Sequence, residues 1–204
     1  MIEEAQRSGA KKLYLSVMKL TELPESLGQL TQLQSLNLSG NRLTALPESL
    51  GQLTQLQSLD LSYNQLTALP ESLGQLTQLR SLNLSSNHLT ALPEWLPQLT
   101  QLQSLDLSRN RLTTLPECLR QLRELTNLGA HDAELTSLPT WIGELASLRE
   151  FNLAGNKLSS LPESFGNLPR MEKLFLGIGT GNPLKTLPPC LSRLSKRFSK
   201  RNCG

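Results

Sequence analysis

Residues 33–55 read LQSLNLSGNRLTALPESLGQLTQ, and this stretch recurs through most of the chain with small changes. Seven copies begin 23 residues apart, at Leu33, Leu56, Leu79, Leu102, Leu125, Leu148 and Met171. A degenerate copy begins at Ala10, and only the last of the eight is interrupted, by three extra residues in GIGTGNP. A period in this range predicts a solenoid, in which one structural unit stacks on the next.

Each copy follows the pattern LxxLxLxxNxLxxLPxxLxxLxx. Leu36 and Leu38 alternate with polar residues, which predicts a short strand with both leucines on one face. Pro47 fixes its own φ and favours extended backbone at Leu46. We therefore expect the return segment LPESLGQL to form a 3₁₀ or polyproline turn and not a long α-helix.

An asparagine follows each predicted strand, where the chain turns away from the sheet. Its amide group both donates and accepts, so it can bind bared backbone groups of its own coil and of adjacent coils. Stacked at a strand spacing of about 4.8 Å, these residues are expected to form a ladder. The ladder residues are Asn41, Asn64, Asn87, Asn110 and Asn156. Met18 takes this position in the first copy, and Ala133 takes it in the sixth.

The 23-residue LPxxLxxL repeat resembles the leucine-rich repeat family, of the kind found in intracellular Ras-group and Roco signalling proteins. The resemblance covers about residues 10–195, and the opening IEEAQRSGAKKLYLS resembles the entry to bacterial Roco repeat arrays. It implies an α/β fold, a right-handed horseshoe-shaped solenoid with a parallel β-sheet on its concave face and a 3₁₀ or irregular convex side. It also implies protein recognition on the concave face. The GTPase domain that follows the repeats in Roco proteins is not in this sequence, so their activity is not carried over.

The charge is distributed unevenly along the chain. The formal net charge is +3, yet residues 192–204 hold five basic residues and no acidic ones. Residues 1–191 therefore carry 15 basic and 17 acidic residues, a net charge of −2. A nearly neutral repeat body argues against nucleic-acid binding by the repeats.

Three features lead us to expect a cytoplasmic protein. Cys118, Cys190 and Cys203 are odd in number and show no paired spacing. No signal sequence opens the chain, and no apolar run is long enough to cross a membrane. We expect an N-terminal capping helix over residues 1–9, eight repeats over residues 10–195 and a basic tail over residues 196–204.

The C-terminal stretch LSRLSKRFSKRNCG departs from the repeat pattern. Leu191, Leu194 and Phe198 fit one helical face surrounded by basic residues. We interpret this stretch as a cover for the last repeat followed by a basic end. Contact of the tail with a membrane or a nucleic acid is the alternative.

Information about a partner should lie where the nearly identical copies differ, first of all in the sixth copy, LTNLGAHDAELTSLP. Gly129 replaces an exposed strand residue there, and Ala130 replaces a core leucine. One interpretation of the surrounding charges is cross-strand pairing worth less than about 1 kcal/mol for each pair. The other is a polar recognition patch, in which Gly129 and Ala154 leave room for a partner.

Alignment of the copies places the charged side chains of this region side by side. Asp132 should lie next to Arg109, and Glu134 beside Arg111 with Lys157 beyond it. In the eighth copy an aromatic side chain takes the exposed strand position, beside the insertion that contains Ile178. The candidate partner-binding residues are Arg109, Arg111, His131, Asp132, Glu134 and Phe175, with Tyr14, Tyr63 and His88 as weaker candidates.

The sequence predicts no catalytic, cofactor or metal site. GIGTGN is followed by Asn182, Pro183 and Leu184 and not by the Lys-Ser/Thr of a phosphate-binding loop. His88 and His131 should lie about 10 Å apart, too far for one metal ion, and the cysteines lack metal-ligand spacing. We predict a non-enzymatic module that binds a protein partner. The alternative is the repeat region of a Roco-type signalling protein, which regulates a GTPase domain absent from this chain.

Overall fold

Each copy of the repeat contributes one three-residue strand, followed by a tight turn and an extended return. The computed structural model describes residues 2–177, 181–184 and 191. Its strands are β1 Lys12–Tyr14, β2 Ser35–Asn37, β3 Ser58–Asp60, β4 Ser81–Asn83, β5 Ser104–Asp106, β6 Asn127–Gly129, β7 Glu150–Asn152 and β8 Lys173–Phe175. They form one parallel sheet in sequence order. The fold is the predicted right-handed solenoid, with this sheet on its concave face.

The strand register reproduces the sequence period. Leu36 of β2 pairs with Leu59 of β3, and each later pair is likewise displaced by one repeat. The middle residue of every strand is buried, while its two neighbours face the open side of the sheet. A one-residue slip would turn all of the buried leucines outward, so burial fixes this register.

The convex side is made of 3₁₀ helices, as expected from the prolines. They are Glu25–Gln29, Glu48–Gln52, Glu71–Gln75, Leu96–Gln98, Glu117–Gln121, Thr140–Glu144 and Glu163–Asn167. Pro47, at φ −70° and ψ 147°, is typical of the extended proline that precedes six of them. The exception is Leu96–Gln98, which follows Trp95 and contains Pro97.

Leucines fill the space between the sheet and the 3₁₀ helices, and those of the central coils are almost entirely inaccessible to solvent. Phe151 and Phe165 replace leucines near the C-terminal end and stack with ring centroids 6.1 Å apart. Since every coil shares its apolar residues with the coils on either side, the core is continuous through the stack. No single coil could bury its leucines alone.

The ladder asparagines are buried and bind the backbone of two coils. Asn64 donates through Nδ2 to Leu61 O and to Leu38 O, both at 3.0 Å, and its Oδ1 accepts from Leu43 N at 3.0 Å. The equivalent bonds recur at Asn41, Asn87, Asn110 and Asn156. These bonds fix the point at which each coil turns away from the sheet.

The last ladder residue is Asn182, which the sequence analysis did not include. Its Nδ2 donates to Leu153 O and Leu176 O, and its Oδ1 accepts from Leu158 N. The insertion in the eighth copy displaces this asparagine in the sequence. It nevertheless occupies the ladder position in space.

The N-terminal helix α1, Ile2–Ser8, covers the first coil. Ala5 is buried in the core, and Ile2 packs against it. Gly9 ends the helix at φ +59°, the left-handed conformation that favours glycine. The division into residues 1–9, 10–195 and 196–204 stays a prediction, and the basic tail lies outside the described residues. Within the described ranges no helix is long and apolar enough to span a membrane.

Candidate functional site

A depression of about 260 Å³ lies on the open face of the sheet between β5 and β8. Residues of four successive strands and of the turns after them line it; they are Ser104, Leu105, Asp106, Ser108, Asn127, Leu128, Gly129, His131, Glu150, Asn152 and Phe175. We call this feature the β5–β8 depression. It lies where the sequence analysis placed the main differences between copies.

Gly129 creates the depression. Every other strand from β1 to β8 ends in a residue with a side chain. A Cβ atom added at Gly129 would collide with Asp106 Oδ1 and lie 2.8 Å from Asp106 Cγ. The carboxylate of Asp106 therefore leans over the neighbouring strand, into space that a side chain at position 129 would fill.

The hydrogen bonds of Asp106 differ from those of its equivalent two coils earlier, Asp60. Asp60 Oδ1 accepts from both the backbone N–H and the hydroxyl group of Ser62, at 2.9 and 2.7 Å. Asp106 Oδ1 accepts only from the backbone N–H of Ser108, at 3.0 Å. The hydroxyl oxygen of Ser108 instead accepts from His131 N at 3.1 Å. Asp106 forms no ion pair within the described ranges.

His131 lies on the floor of the depression, just after β6. Asn152 Nδ2 lies 3.5 Å from His131 Nδ1, a long polar contact. The backbone bond to Ser108 and the contact with Asn152 join His131 to the coils on both sides of it.

The C-terminal wall of the depression combines an aromatic ring with an ion pair. Phe175 is 41% exposed, which is unusual for a phenylalanine in a folded domain. Glu150 pairs with Lys173 on the adjacent strand. The hydrogen bond to Glu150 raises the pKa of Lys173, since it favours the charged ammonium group. The positive charge of Lys173 thus balances the negative charge of Glu150.

A row of residues with left-handed backbone borders the concave face at the ends of the strands. Its members occupy one repeat position and are Val17, Gly40, Tyr63, Ser86, Arg109, Asp132 and Gly155, with φ between +51° and +68°. We call this feature the left-handed row. Positive φ is uncommon outside glycine and costs about 1 kcal/mol or more.

Three side chains of the left-handed row touch one another. Arg109 Nε lies 3.7 Å from Asp132 Oδ2, which is the pairing that alignment of the copies predicts. Arg109 Nη1 also lies 3.5 Å from the hydroxyl oxygen of Tyr63, two coils away. Asp132 in turn covers Gly155, where a Cβ atom would collide with its carboxylate. The row therefore forms a polar border along the depression.

The remaining predicted residues lie outside this group. Glu134 pairs at 3.2 Å with Lys157, the residue that the alignment of the copies places beyond it, and forms no ion pair with Arg111 among the described residues. Glu134 follows the missing ladder asparagine and has φ +67°. His88 and Arg111 occupy the same repeat position on other coils and do not line the depression.

Two further predictions concern the ends of the molecule. Tyr14 is exposed on β1, at the N-terminal end of the sheet and far from the depression. Ile178, predicted to accompany Phe175, lies outside the described residues.

The sequence analysis did not identify three residues that line the depression, Asp106, Glu150 and Asn152. Each of them is a polar residue at a strand position that is polar in other copies too, and only the neighbouring Gly129 makes their surroundings different.

The described part of the chain offers no cluster of histidine, cysteine, aspartate and glutamate suited to a metal ion. Cys118, on the convex side, is a free thiol. Burial raises its pKa above the ordinary value, which reduces the reactive thiolate fraction. These side chains give no sign of reactive chemistry on the convex face.

A parallel sheet with one strand per coil, 3₁₀ helices opposite and buried leucines between them defines the class of leucine-rich solenoids. The sequence model described as "Leucine-rich repeat region" matches residues 69–198, and "Leucine rich repeat" matches residues 31–89. The chain belongs to the leucine-rich repeat family. A comparison with curated proteins gave no significant match.

Several solved structures share this fold. The leucine-rich repeat protein LIC12759 of Leptospira interrogans is 31% identical with a TM-score of 0.73, over 95% of this chain and 61% of that one. The functional domain of InlJ from Listeria monocytogenes, which includes a cysteine ladder, is 25% identical with a TM-score of 0.76, over 94% and 39%.

The plant peptide hormone receptor RGFR1, solved in complex with RGF2, is 26% identical with a TM-score of 0.66. The match covers 86% of this chain and 33% of the receptor chain. The present chain thus spans less than two thirds of the length of each of these three proteins.

Proposed function

We propose that this chain is a non-enzymatic binding module that holds a protein partner on its concave face, over β5–β8. Domains of this family are generally protein-interaction modules, and RGFR1 is a receptor solved in complex with RGF2. The observation that carries the proposal is the β5–β8 depression. It interrupts an otherwise uniform surface on which β2–β5 present serine at one end of each strand and asparagine or aspartate at the other.

The depression has the composition of an interaction site. Phe175 provides apolar area that a partner could cover, and aromatic side chains in pockets supply much of the binding energy at protein interfaces. Asp106 and His131 provide polar groups in the same depression. Around them the left-handed row provides the charges of Arg109 and Asp132, which would orient a partner more than they would strengthen its binding.

The ion pairs next to the depression are exposed and weak. Arg109–Asp132 and Glu134–Lys157 leave about half of each side chain accessible to solvent. Such pairs contribute on the order of 0–1 kcal/mol, so a partner's charged groups could replace them at small cost. The two interpretations of this region, internal pairing and a recognition patch, are therefore compatible.

We place this binding in the cytoplasm, because the sequence has an odd number of cysteines without paired spacing. We keep the LPxxLxxL assignment and its Ras-group and Roco resemblance as part of the proposal. Regulation of a GTPase domain on another segment is the second candidate. A reading frame that continues beyond Gly204 into a phosphate-binding loop would favour it, and a stop codon there would count against it.

The site is tested by capturing binding proteins from a lysate with immobilised chain. The triple variant His131→Ala, Asp132→Ala, Phe175→Ala should capture about 10-fold less of the specifically bound proteins than the wild type does. A loss of this size is typical when central contacts of an interface are removed. The control replaces three polar convex residues, Gln52, Glu71 and Gln75, by alanine and should leave capture unchanged. Equal capture by wild type and the concave variant would reject this site.

A further inference from the structure

We propose that the β5–β8 depression binds an arginine side chain presented by a peptide segment of the partner. This inference rests on the proposed concave-face function and names the chemical group that the site accepts. The guanidinium group would bind the carboxylate of Asp106, and the stem of the side chain would run across Gly129 and Asn152 towards Phe175, three strands away.

The charge of the sheet supports a cationic group. The strands β2–β7 contain three acidic residues, Asp60, Asp106 and Glu150, and no basic residue. Glu150 is paired with Lys173, so its charge is already matched. Asp106 is the acidic strand residue of the depression that lacks an ion pair among the residues the structure describes.

The geometry of Asp106 leaves an acceptor free. Its Oδ1 accepts from Ser108 N, and no protein group in the described ranges donates to its Oδ2. The absence of a side chain at Gly129 directs this carboxylate into the depression. A guanidinium group presents parallel N–H donors that match the two oxygens of a carboxylate.

The shape of the donor group distinguishes arginine from lysine at Asp106. A guanidinium group presents a rigid fork of N–H donors to a carboxylate, whereas a lysine ammonium is a strongly hydrated point charge. The depression, at about 260 Å³, is smaller than the roughly 300–1,000 Å³ typical of sites for whole small molecules. It suits one long side chain, with the rest of the peptide on the surrounding sheet.

The site offers a closely matched pair of variants. Asp106→Asn and Asp60→Asn change the same repeat position by the same atoms. Asparagine is already the native residue at this position in Asn37 and Asn83, where its Oδ1 accepts from the following serine N–H as aspartate does. Both variants should therefore fold, and only the first removes the charge beside Gly129.

The probes are two acetylated, amidated pentapeptides, Gly-Ser-Arg-Ser-Gly and the same peptide with citrulline in place of arginine. Citrulline keeps the shape of the side chain and removes its charge. Binding to the full chain is followed by amide chemical shifts in nuclear magnetic resonance spectra. We expect saturable shifts at Gly129, Ser108 and Asn152 with the arginine peptide, and binding about 10-fold weaker with citrulline because a charge-assisted hydrogen bond is lost.

The variants then locate the interaction. Asp106→Asn should weaken arginine-peptide binding about 10-fold for the same reason, whereas Asp60→Asn should change it less than about 2-fold. Phe175→Leu, which keeps an apolar wall for the stem of the arginine, should change it less than about 2-fold. Gly129→Asn should abolish it, because the new side chain would fill the space into which the Asp106 carboxylate leans.

Three outcomes would overturn the inference: no shift at Gly129, equal binding of the citrulline peptide, or equal effects of Asp106→Asn and Asp60→Asn. These results are separable from those of the capture experiment. Lost capture by the concave triple variant without arginine-peptide binding would leave concave-face binding intact and reject the arginine occupant. Arginine-peptide binding with unaltered capture would support the arginine site and reject the proposed partner surface.

Discussion

At the scale of single residues, each ladder asparagine forms hydrogen bonds with several backbone groups of two coils. The Asn87 side chain binds Leu84 O and Leu61 O, both at 3.0 Å, and accepts from Leu66 N at 2.9 Å. Without it, buried groups of two successive coils would lose a partner. A buried group left without a hydrogen bond costs about 1–3 kcal/mol.

Asn64→Ala should therefore lower the free energy of unfolding by about 3 kcal/mol, since the N–H of Leu43 loses its acceptor and two carbonyl groups lose a donor. Unfolding in urea, followed by circular dichroism, measures this change. The control Gln65→Ala alters the next, exposed residue and should change stability by less than about 0.5 kcal/mol. A loss below about 1 kcal/mol at Asn64 would show that the ladder bonds are replaced by water.

Ala133 tests the same bonds in the opposite direction. In the other coils the ladder side chain accepts from the N–H group 21 residues earlier, as Asn110 does from Leu89. The equivalent group at Ala133 is Leu112 N, for which the described residues provide no acceptor. Asn156 accepts from Ala133 N as well as from Leu135 N, but neither bond provides an acceptor for Leu112 N.

Ala133→Asn should accordingly raise the free energy of unfolding by about 1 kcal/mol, the net value of a typical internal hydrogen bond. The same urea experiment measures it. It should also return Glu134 to an ordinary backbone conformation and release it from Lys157, because the turn would then match the other coils. Destabilisation would mean that the coil has closed over position 133 too tightly for an asparagine.

At the scale of strands and turns, Gly155 of the left-handed row packs against Asp132, the member of the row on the preceding coil. Its φ of +68° disfavours any side chain, and the carboxylate of Asp132 occupies the position of a Cβ atom. Gly9 provides a comparison, because it has φ +59° with nothing within 4 Å of an added Cβ atom. The pair separates the cost of backbone conformation from the cost of collision.

Gly155→Ala should lower the free energy of unfolding by about 2 kcal/mol, and Gly9→Ala by about 1 kcal/mol. Addition of Asp132→Ala to Gly155→Ala should recover about the difference, because it removes the collision. Thermal unfolding of the three variants and of Asp132→Ala alone measures the coupling. Strictly additive effects of the two substitutions would show that Asp132 moves away freely.

Prediction from the sequence worked well for strands and turns and less well for contacts between coils. The alternation of Leu36 and Leu38 and the proline at position 47 were sufficient to predict strands and 3₁₀ helices. The left-handed backbone of Tyr63 and Arg109 was not predicted, because neither residue is a glycine and the repeat geometry imposes the conformation. Three-dimensional stacking decides such conformations, and local propensity does not.

The candidate site was predicted in part for the same reason. Gly129 and Phe175 break the repeat and were visible as differences between copies. Asp106 keeps to the repeat, so only its neighbour across the sheet makes it distinctive. Asn182 escaped notice because the insertion shifts it out of the 23-residue register.

At the scale of the whole molecule, the sheet order shows that each coil contacts mainly the coils before and after it. Stability in such an array is approximately a sum of terms for the coils and for the interfaces between neighbours. A substitution in a central coil therefore weakens its interfaces with the coils on both sides, whereas a substitution in the terminal coil weakens the interface on one side only.

Leu84→Ala and Leu176→Ala test this arrangement, because both leucines are buried at the same repeat position, one after β4 and the other after β8. Each should cost about 3 kcal/mol locally. Hydrogen exchange followed by mass spectrometry should show faster exchange in strands on both sides of Leu84, but only in β7 and β8 for Leu176. Identical exchange patterns would mean that the array opens only as a whole.

The uniform strands β2–β5 make the length of the molecule adjustable in whole units. Ser58 and Ser81 pair with equivalent serines, so deletion of residues 56–78 would bring β2 against β4 with the same serine and leucine partners that β3 now provides, and with Asn83 in place of Asp60. The N-terminal helix would move about 4.8 Å towards Gly129, whose surroundings would stay unchanged. Duplication or loss of whole repeats would therefore change the distance between the N-terminal helix and the β5–β8 depression in steps of one coil, without altering either of them.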